Sequence, residues 1–174
     1  MNAALIPAMD DSLATRTLLG VDFHAVPVER AIVLLDAHIR HRVPIKVAFA
    51  NAHTLNTATV NPRYREVLGR FAVFNDGVGV DLASRLRFGE RFPDNLNGTD
   101  FVPAYLEHSE RNLRVFLLGA RPHVVRHAFE TARTRYPRHE WIGFRDGYFS
   151  FGEEAELLAT LRQQRIDLLL VAMG

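Results

Sequence analysis

The sequence predicts an α/β protein, Rossmann-like, in which a mainly parallel sheet carries helices on both faces. Continuous apolar runs such as "IKVAFA", "LRVFLLG" and "IDLLLVAMG" have the character of strands buried on two sides, since half-exposed strands alternate apolar with polar residues. Between these runs lie stretches with apolar residues at helical spacing, and strands that alternate with helices in this way build parallel sheets through crossover connections. With 174 residues and 48% hydrophobic content the chain can bury one good core. One globular domain is therefore expected over residues 18–174, behind a polar, mobile amino-terminal segment at 1–17.

Taken in order, "TLLGVDFHAV" reads as a strand or hairpin arm, and Pro27 opens the helix "VERAIVLLDAHIRH", where its missing N–H costs nothing. The strand "IKVAFA" follows. Two short helical stretches, "NAHTLNTATV" and "PRYREVLGR", come next, divided at Asn61-Pro62 because the residue before proline resists helical geometry. "FAVFN" is a strand, "GVDLASRLR" a helix, and "FGERFPDNLNG" a loop into the helix "TDFVPAYLEHSE", which Thr99 or Asp100 is expected to cap. "LRVFLLG", "EWIGF" and "IDLLLVAMG" are the remaining strands, with helices at "PHVVRHAFETARTRY" and "GEEAELLATLRQQR" between them.

Composition narrows the function classes. The formal charge is only +1, so no nucleic-acid partner is expected from the overall field. Lys46 is the only lysine and there is no cysteine, which removes disulfides, thiolate metal sites and cysteine nucleophiles. No apolar run approaches the ~20 residues that span a bilayer, and the first residues lack the pattern of a signal peptide. The expected location is cytoplasmic, at most on a membrane surface.

In parallel sheets ligands sit beyond the carboxyl ends of strands. That rule selects Asn51, Asn75-Asp76, Gly119-Ala120 and the segment from Gly143 to Tyr148. "NDGVGVDL" leaves several roles open for Asp76. It suits a tight turn with a helix cap, and it suits a general base beside glycines that let a substrate approach. A dinucleotide fingerprint needs a third glycine where Leu82 stands, and a metal site lacks a good partner, Asp81 being poorly spaced. His123 and His127, spaced i, i+4 without a third ligand, read as a surface pair, so neither metal nor cofactor is expected.

The ordered set "NAHTLNTATVNPRYREVL", "FNDGVGVDLASRL", "NGTDFVPAYLE", "RVFLLGARPHVVRHA", "YP", "WIGFRDGYF" and "IDLLLVAMG" resembles the bacterial WecG/TagA/CpsF glycosyltransferase family, from about Leu18 to Gly174. The resemblance implies an inverting, metal-independent hexosyltransferase that moves a sugar from a UDP-sugar to a polyprenyl-diphosphate-linked acceptor, in exopolysaccharide or other cell-surface polysaccharide synthesis. It implies peripheral contact with the cytoplasmic face of the inner membrane. Asp76 is then the catalytic base, and Asn51 lines the same pocket. Phe49 stands where the family often has Thr, and Asn95 where it often has Arg, a change that removes a fixed positive charge. Arg91, on the same loop, is a candidate replacement. The pattern resembles the branch of the family that makes exopolysaccharide with neutral sugars more than the N-acetylmannosamine branch.

Asn75, Gly77, Asn97, Thr99 and Asp100 complete the expected substrate-binding set of this half. The helix after the Gly119 turn, with Arg121 beside it, offers free amide groups to a leaving diphosphate. Asp146 suits a substrate hydroxyl and Tyr148 a ring of base or sugar. Family members continue beyond a "PxQE"-like loop into an appendage, so the resemblance also implies that the chain ending at Gly174 lacks both. Apolar surface left without that tail is compatible with a homo-oligomer. A nucleotide-sugar-binding module without catalysis is the alternative.

Overall fold

The computed structural model describes residues 14–173, so most of the segment expected to be mobile lies outside the described residues. The chain folds as two compact units, Met1–Ser109 and Glu110–Gly174. The predicted α/β layout is present in both, with mainly parallel strands flanked by helices, but the strands are shared between two sheets.

The first unit starts with a hairpin, β1 (Thr15–Leu18) and β2 (Val21–His24), which begins inside the segment assigned to the polar amino terminus. Leu19 (φ 51°) and Gly20 (φ 79°) join the strands. Two positive φ values in a two-residue loop are the mark of the turn whose twist matches an antiparallel pair. The rest of this sheet is parallel: β3 (Val47–Ala50) and β4 (Ala72–Asn75) complete the order β1-β2-β4-β3. β4 is buried along its whole length, as its apolar run requires.

Helices α1 (Val28–His41), α2 (Ala52–Val60), α3 (Pro62–Leu68), α4 (Val78–Phe88) and α5 (Gly98–His108) belong to this unit. α1 turns Ala31, Ile32, Leu34 and Leu35 inward at helical spacing. Buried Asp36 on the same face accepts hydrogen bonds from the Tyr105 hydroxyl (3.0 Å) and the Ser109 hydroxyl (2.7 Å), which ties α1 to α5. Phe23, Val73, Val80, Leu55 and Phe92 form the centre of the core.

The second unit has an all-parallel sheet in the order β6-β5-β7, from β5 (Arg114–Gly119), β6 (Glu140–Arg145) and β7 (Leu168–Ala172), with α6 (Pro122–Arg135) and α7 (Phe151–Gln163). Phe129 of α6 packs its ring 5.0 Å from Phe144 and 6.3 Å from Trp141, so α6 is anchored on β6. The start of β5 is fixed at both sides: the Leu113 amide donates to His139 Nδ1 (3.1 Å) and the Arg114 amide to Asp167 Oδ2 (3.0 Å).

At the amino end of α7, Glu153 Oε2 accepts from the amide and the hydroxyl of Ser150, both at 2.9 Å, and Oε1 accepts from Arg145. The Ser150 amide, then its hydroxyl, then Arg145 hold the Glu153 carboxyl below its ordinary value of 4.5. A carboxyl whose pKa is depressed by folding stabilises the fold above its unfolded pKa, and loses that contribution as the pH falls through the folded value. Glu153→Gln is therefore expected to lower the melting temperature at neutral pH. The gap between variant and parent should close as melts are repeated well below pH 4.5.

Candidate functional site

Asp76 follows β4 directly, at the carboxyl end of the parallel sheet. Its amide donates to Ala50 O (3.0 Å), which continues the pairing of β3 and β4 by one residue and fixes the backbone there. The side chain is half-buried and makes no hydrogen bond to any described residue. Gly77 (φ 90°) then reverses the chain into α4, and a Cβ placed on it would meet nothing within 4 Å. The space that a side chain at Gly77 would occupy is therefore open.

Helix ends converge around it. α2 starts right after β3 and α4 right after β4, and a Cβ built on Gly79 would come within 3.2 Å of Ala52 Cβ, so the two amino ends lie together. Each carries unsatisfied amides and the positive end of a helix dipole, a setting that suits an anionic substrate. Asn51 is exposed and caps α2, its Oδ1 accepting from the Thr54 amide (3.1 Å). That use leaves its side-chain amide group turned to the surface.

The loop at 89–97 closes over this end of the sheet through bonds that join distant parts of the unit. Asn75, 1% exposed, donates Nδ2 to Asp94 O (2.9 Å), while its Oδ1 is buried with no partner among the described residues. Asp94 Oδ2 accepts from the Val28 amide (2.9 Å), satisfying one of the free donors at the start of α1. Asn95 Oδ1 accepts from the Gly77 amide (2.9 Å) and so pins the residue next to Asp76. Asn95 thus acts on the backbone, and the exposed Arg91, which makes no side-chain hydrogen bond to a described residue, is the cation on this loop.

Asn97, and neither Thr99 nor Asp100, caps α5: its Oδ1 accepts from the Asp100 amide (3.0 Å) and its Nδ2 donates to Asp100 Oδ2 (2.8 Å). The correction follows from where the helix starts. Gly98 is already helical, which puts the extended backbone needed for a cap at Asn97. Thr99 is left exposed.

Two features of this end were not visible in the sequence. Arg16 of β1 donates to Ser84 Oγ (2.8 Å) and Arg91 O (2.6 Å), pairs with Glu90, and lies 5.2 Å from the centre of the Phe92 ring, so it holds the start of the loop. Phe49 packs with Phe74 (6.2 Å) and Phe101 (6.0 Å), and a Cβ on Gly98 would fall 2.9 Å from its ring. An aromatic side chain at position 49 thus serves the packing beneath the loop.

In the second unit, Gly119 (φ 129°) and Ala120 (φ 58°) turn the chain out of β5. The Ala120 amide donates to Ala172 O (2.8 Å), and Ala120 O accepts from the Gly147 amide (3.0 Å). Ala120, with Arg121, His123, Val124, Tyr148 and Met173, lines an open cleft of about 610 Å³. Arg121 is exposed at the amino end of α6. Asp146 Oδ1 accepts from the Tyr148 amide (2.9 Å), a local turn, and this leaves the Tyr148 ring exposed. His123 and His127 are both exposed, and among the described residues no group of three His, Asp or Glu side chains is disposed to hold a metal ion.

Residues 16–174 match the sequence model of the family described as "Glycosyl transferase WecG/TagA/CpsF family". A curated relative from Bacillus spizizenii (strain ATCC 23059 / NRRL B-14472 / W23), the N-acetylglucosaminyldiphosphoundecaprenol N-acetyl-beta-D-mannosaminyltransferase, is 29% identical over 130 residues. The match takes in 74% of this chain and 49% of the relative, so the chain spans about half the length of the curated relative it matches.

Proposed function

We propose, from the premise that this chain belongs to the glycosyl transferase WecG/TagA/CpsF family, that it transfers a hexose from a UDP-sugar to an acceptor carried on a polyprenyl diphosphate. The observation that carries the proposal is the Asp76 carboxylate, half-buried, free of hydrogen bonds to described residues and next in the chain to Gly77, whose missing side chain leaves space open. A carboxylate with no structural partner at the end of a parallel sheet is available for proton transfer.

In the proposed reaction the acceptor hydroxyl oxygen attacks the anomeric carbon from the face opposite UDP. The bond from that carbon to the diphosphate oxygen breaks, and its electron pair leaves with UDP. The hydroxyl proton passes to Asp76, and the configuration inverts. The transfer is proposed to run without a metal ion, the charge on the leaving diphosphate being met by protein groups. Arg91 and Thr99 are assigned to direct substrate contact. The asparagines at 51, 75, 95 and 97 hold the backbone around the carboxylate in place.

The relative's name gives the acceptor class to test first, N-acetylglucosamine on a polyprenyl diphosphate. A short-chain, water-soluble form of that acceptor is incubated with UDP-hexoses and UDP-N-acetylhexosamines in the presence of EDTA. One UDP donor is expected to yield a disaccharide product by mass and to release an equal amount of UDP. Heat of UDP binding without product would identify a nucleotide-sugar-binding module, and neither heat nor product would end the proposal.

A further inference from the structure

The outward face of α4 carries residues that the transfer chemistry does not use. Val78, Leu82 and Leu86 are 79%, 53% and 80% exposed, while Val80 and Ser84 face the core. Spaced by four, the exposed residues form one stripe along the helix. Phe88, also exposed, extends the apolar surface at the carboxyl end. Arg85 flanks the stripe, and Arg87 lies at the same end with its guanidinium 5.6 Å from the Phe88 ring centre. Arg91 follows on the loop, also exposed. Of the acids nearby, Glu90 is paired with Arg16 and Asp81 is half-buried on the flank of the helix.

We propose that this face of α4 seats on an anionic lipid bilayer, with Val78, Leu82 and Leu86 entering the head-group boundary and Arg85 and Arg87 meeting lipid phosphates. A bilayer supplies negative charge and apolar depth together, which is what an apolar stripe ending in arginines complements. A second copy fits less well. One short helix face falls far below the roughly 800 Å² per partner of a stable interface. The inference rests on the polyprenyl-linked acceptor of the proposed function: α4 begins two residues after Asp76, so a membrane at this face presents the lipid-borne diphosphate close to the carboxylate. Among the described residues no helix is long and apolar enough to cross a membrane, and surface seating requires none.

The test is co-sedimentation of the chain with vesicles of phosphatidylcholine alone and of phosphatidylcholine mixed with phosphatidylglycerol. Binding is expected to the mixed vesicles, weakening as salt is raised, with little to the neutral ones. Leu82→Gln with Leu86→Gln is expected to weaken that binding about a hundredfold, and Arg85→Gln about fivefold on anionic vesicles only. Both leucines are exposed, so the fold should be unchanged by circular dichroism. Equal binding by the double variant, or none by the parent chain, overturns the proposal. A dimer that forms without lipid and is lost in the double variant would give the face to a second copy and also overturn it. Transfer to the water-soluble acceptor is expected at the parent rate in the double variant. Loss of all transfer in the parent chain would instead fault the proposed function.

Discussion

Asp76→Asn is expected to lower the rate of sugar transfer by about 10²–10⁴, the usual contribution of a positioned general base. That range corresponds to about 3–5 kcal/mol of barrier. The amide has the shape of the carboxylate but cannot take the proton that the acceptor hydroxyl must lose as the new bond forms. The substitution is also clean structurally. Asp76 is fixed by its backbone amide, which donates to Ala50 O, and its side chain has no hydrogen bond to a described residue that the variant would break. UDP binding by calorimetry and the melting temperature should both match the parent, while initial rates with saturating acceptor drop. Normal turnover in the variant would remove Asp76 from the mechanism and leave the family match without a chemical centre in this chain.

What could be read from the sequence, and what could not, divides along the range of the interactions involved. Most strands and helices are visible because their own residues specify them: "FAVFN" is apolar throughout and becomes a fully buried strand, and "VERAIVLLDAHIRH" repeats at helical spacing and turns that face inward. The division into two sheets is not visible, since an apolar run such as "LRVFLLG" states that it is buried and not which strand it pairs with. Asp76 stands out as a candidate from its place after a strand, and its proposed role as base rests on the resemblance of the whole motif set. Its surroundings depend on pairs far apart in the chain, Arg16 with Ser84 and Asp94 with Val28, that no local pattern announces. The cap of α5 differs from its expected place for a narrower reason. "NGTD" offers Asn, Thr and Asp as cap residues, and only the backbone geometry selects Asn97.

Gly119→Ala is expected to destabilise the second unit by at least about 3 kcal/mol, through a backbone clash on top of an unfavourable φ. A Cβ at this position would lie 2.1 Å from Ala172 O, and φ is 129°. The obvious relief, moving the end of β7 away, breaks the bond by which Ala172 O accepts the Ala120 amide (2.8 Å). It also disturbs Ala120 O, which accepts from Gly147 (3.0 Å), so the turn and the loop before α7 shift together. Gly77→Ala separates the two causes. Gly77 has φ 90° but open space around its missing side chain, and its alanine variant should lose only the conformational part, about 1–2 kcal/mol. Denaturant unfolding and hydrogen exchange of residues 110–173 read the difference directly. Equal losses in the two variants would mean that the carboxyl end of β7 yields without cost, and the Ala120 bonds would then contribute nothing to the shape of the cleft that Arg121 and Tyr148 line.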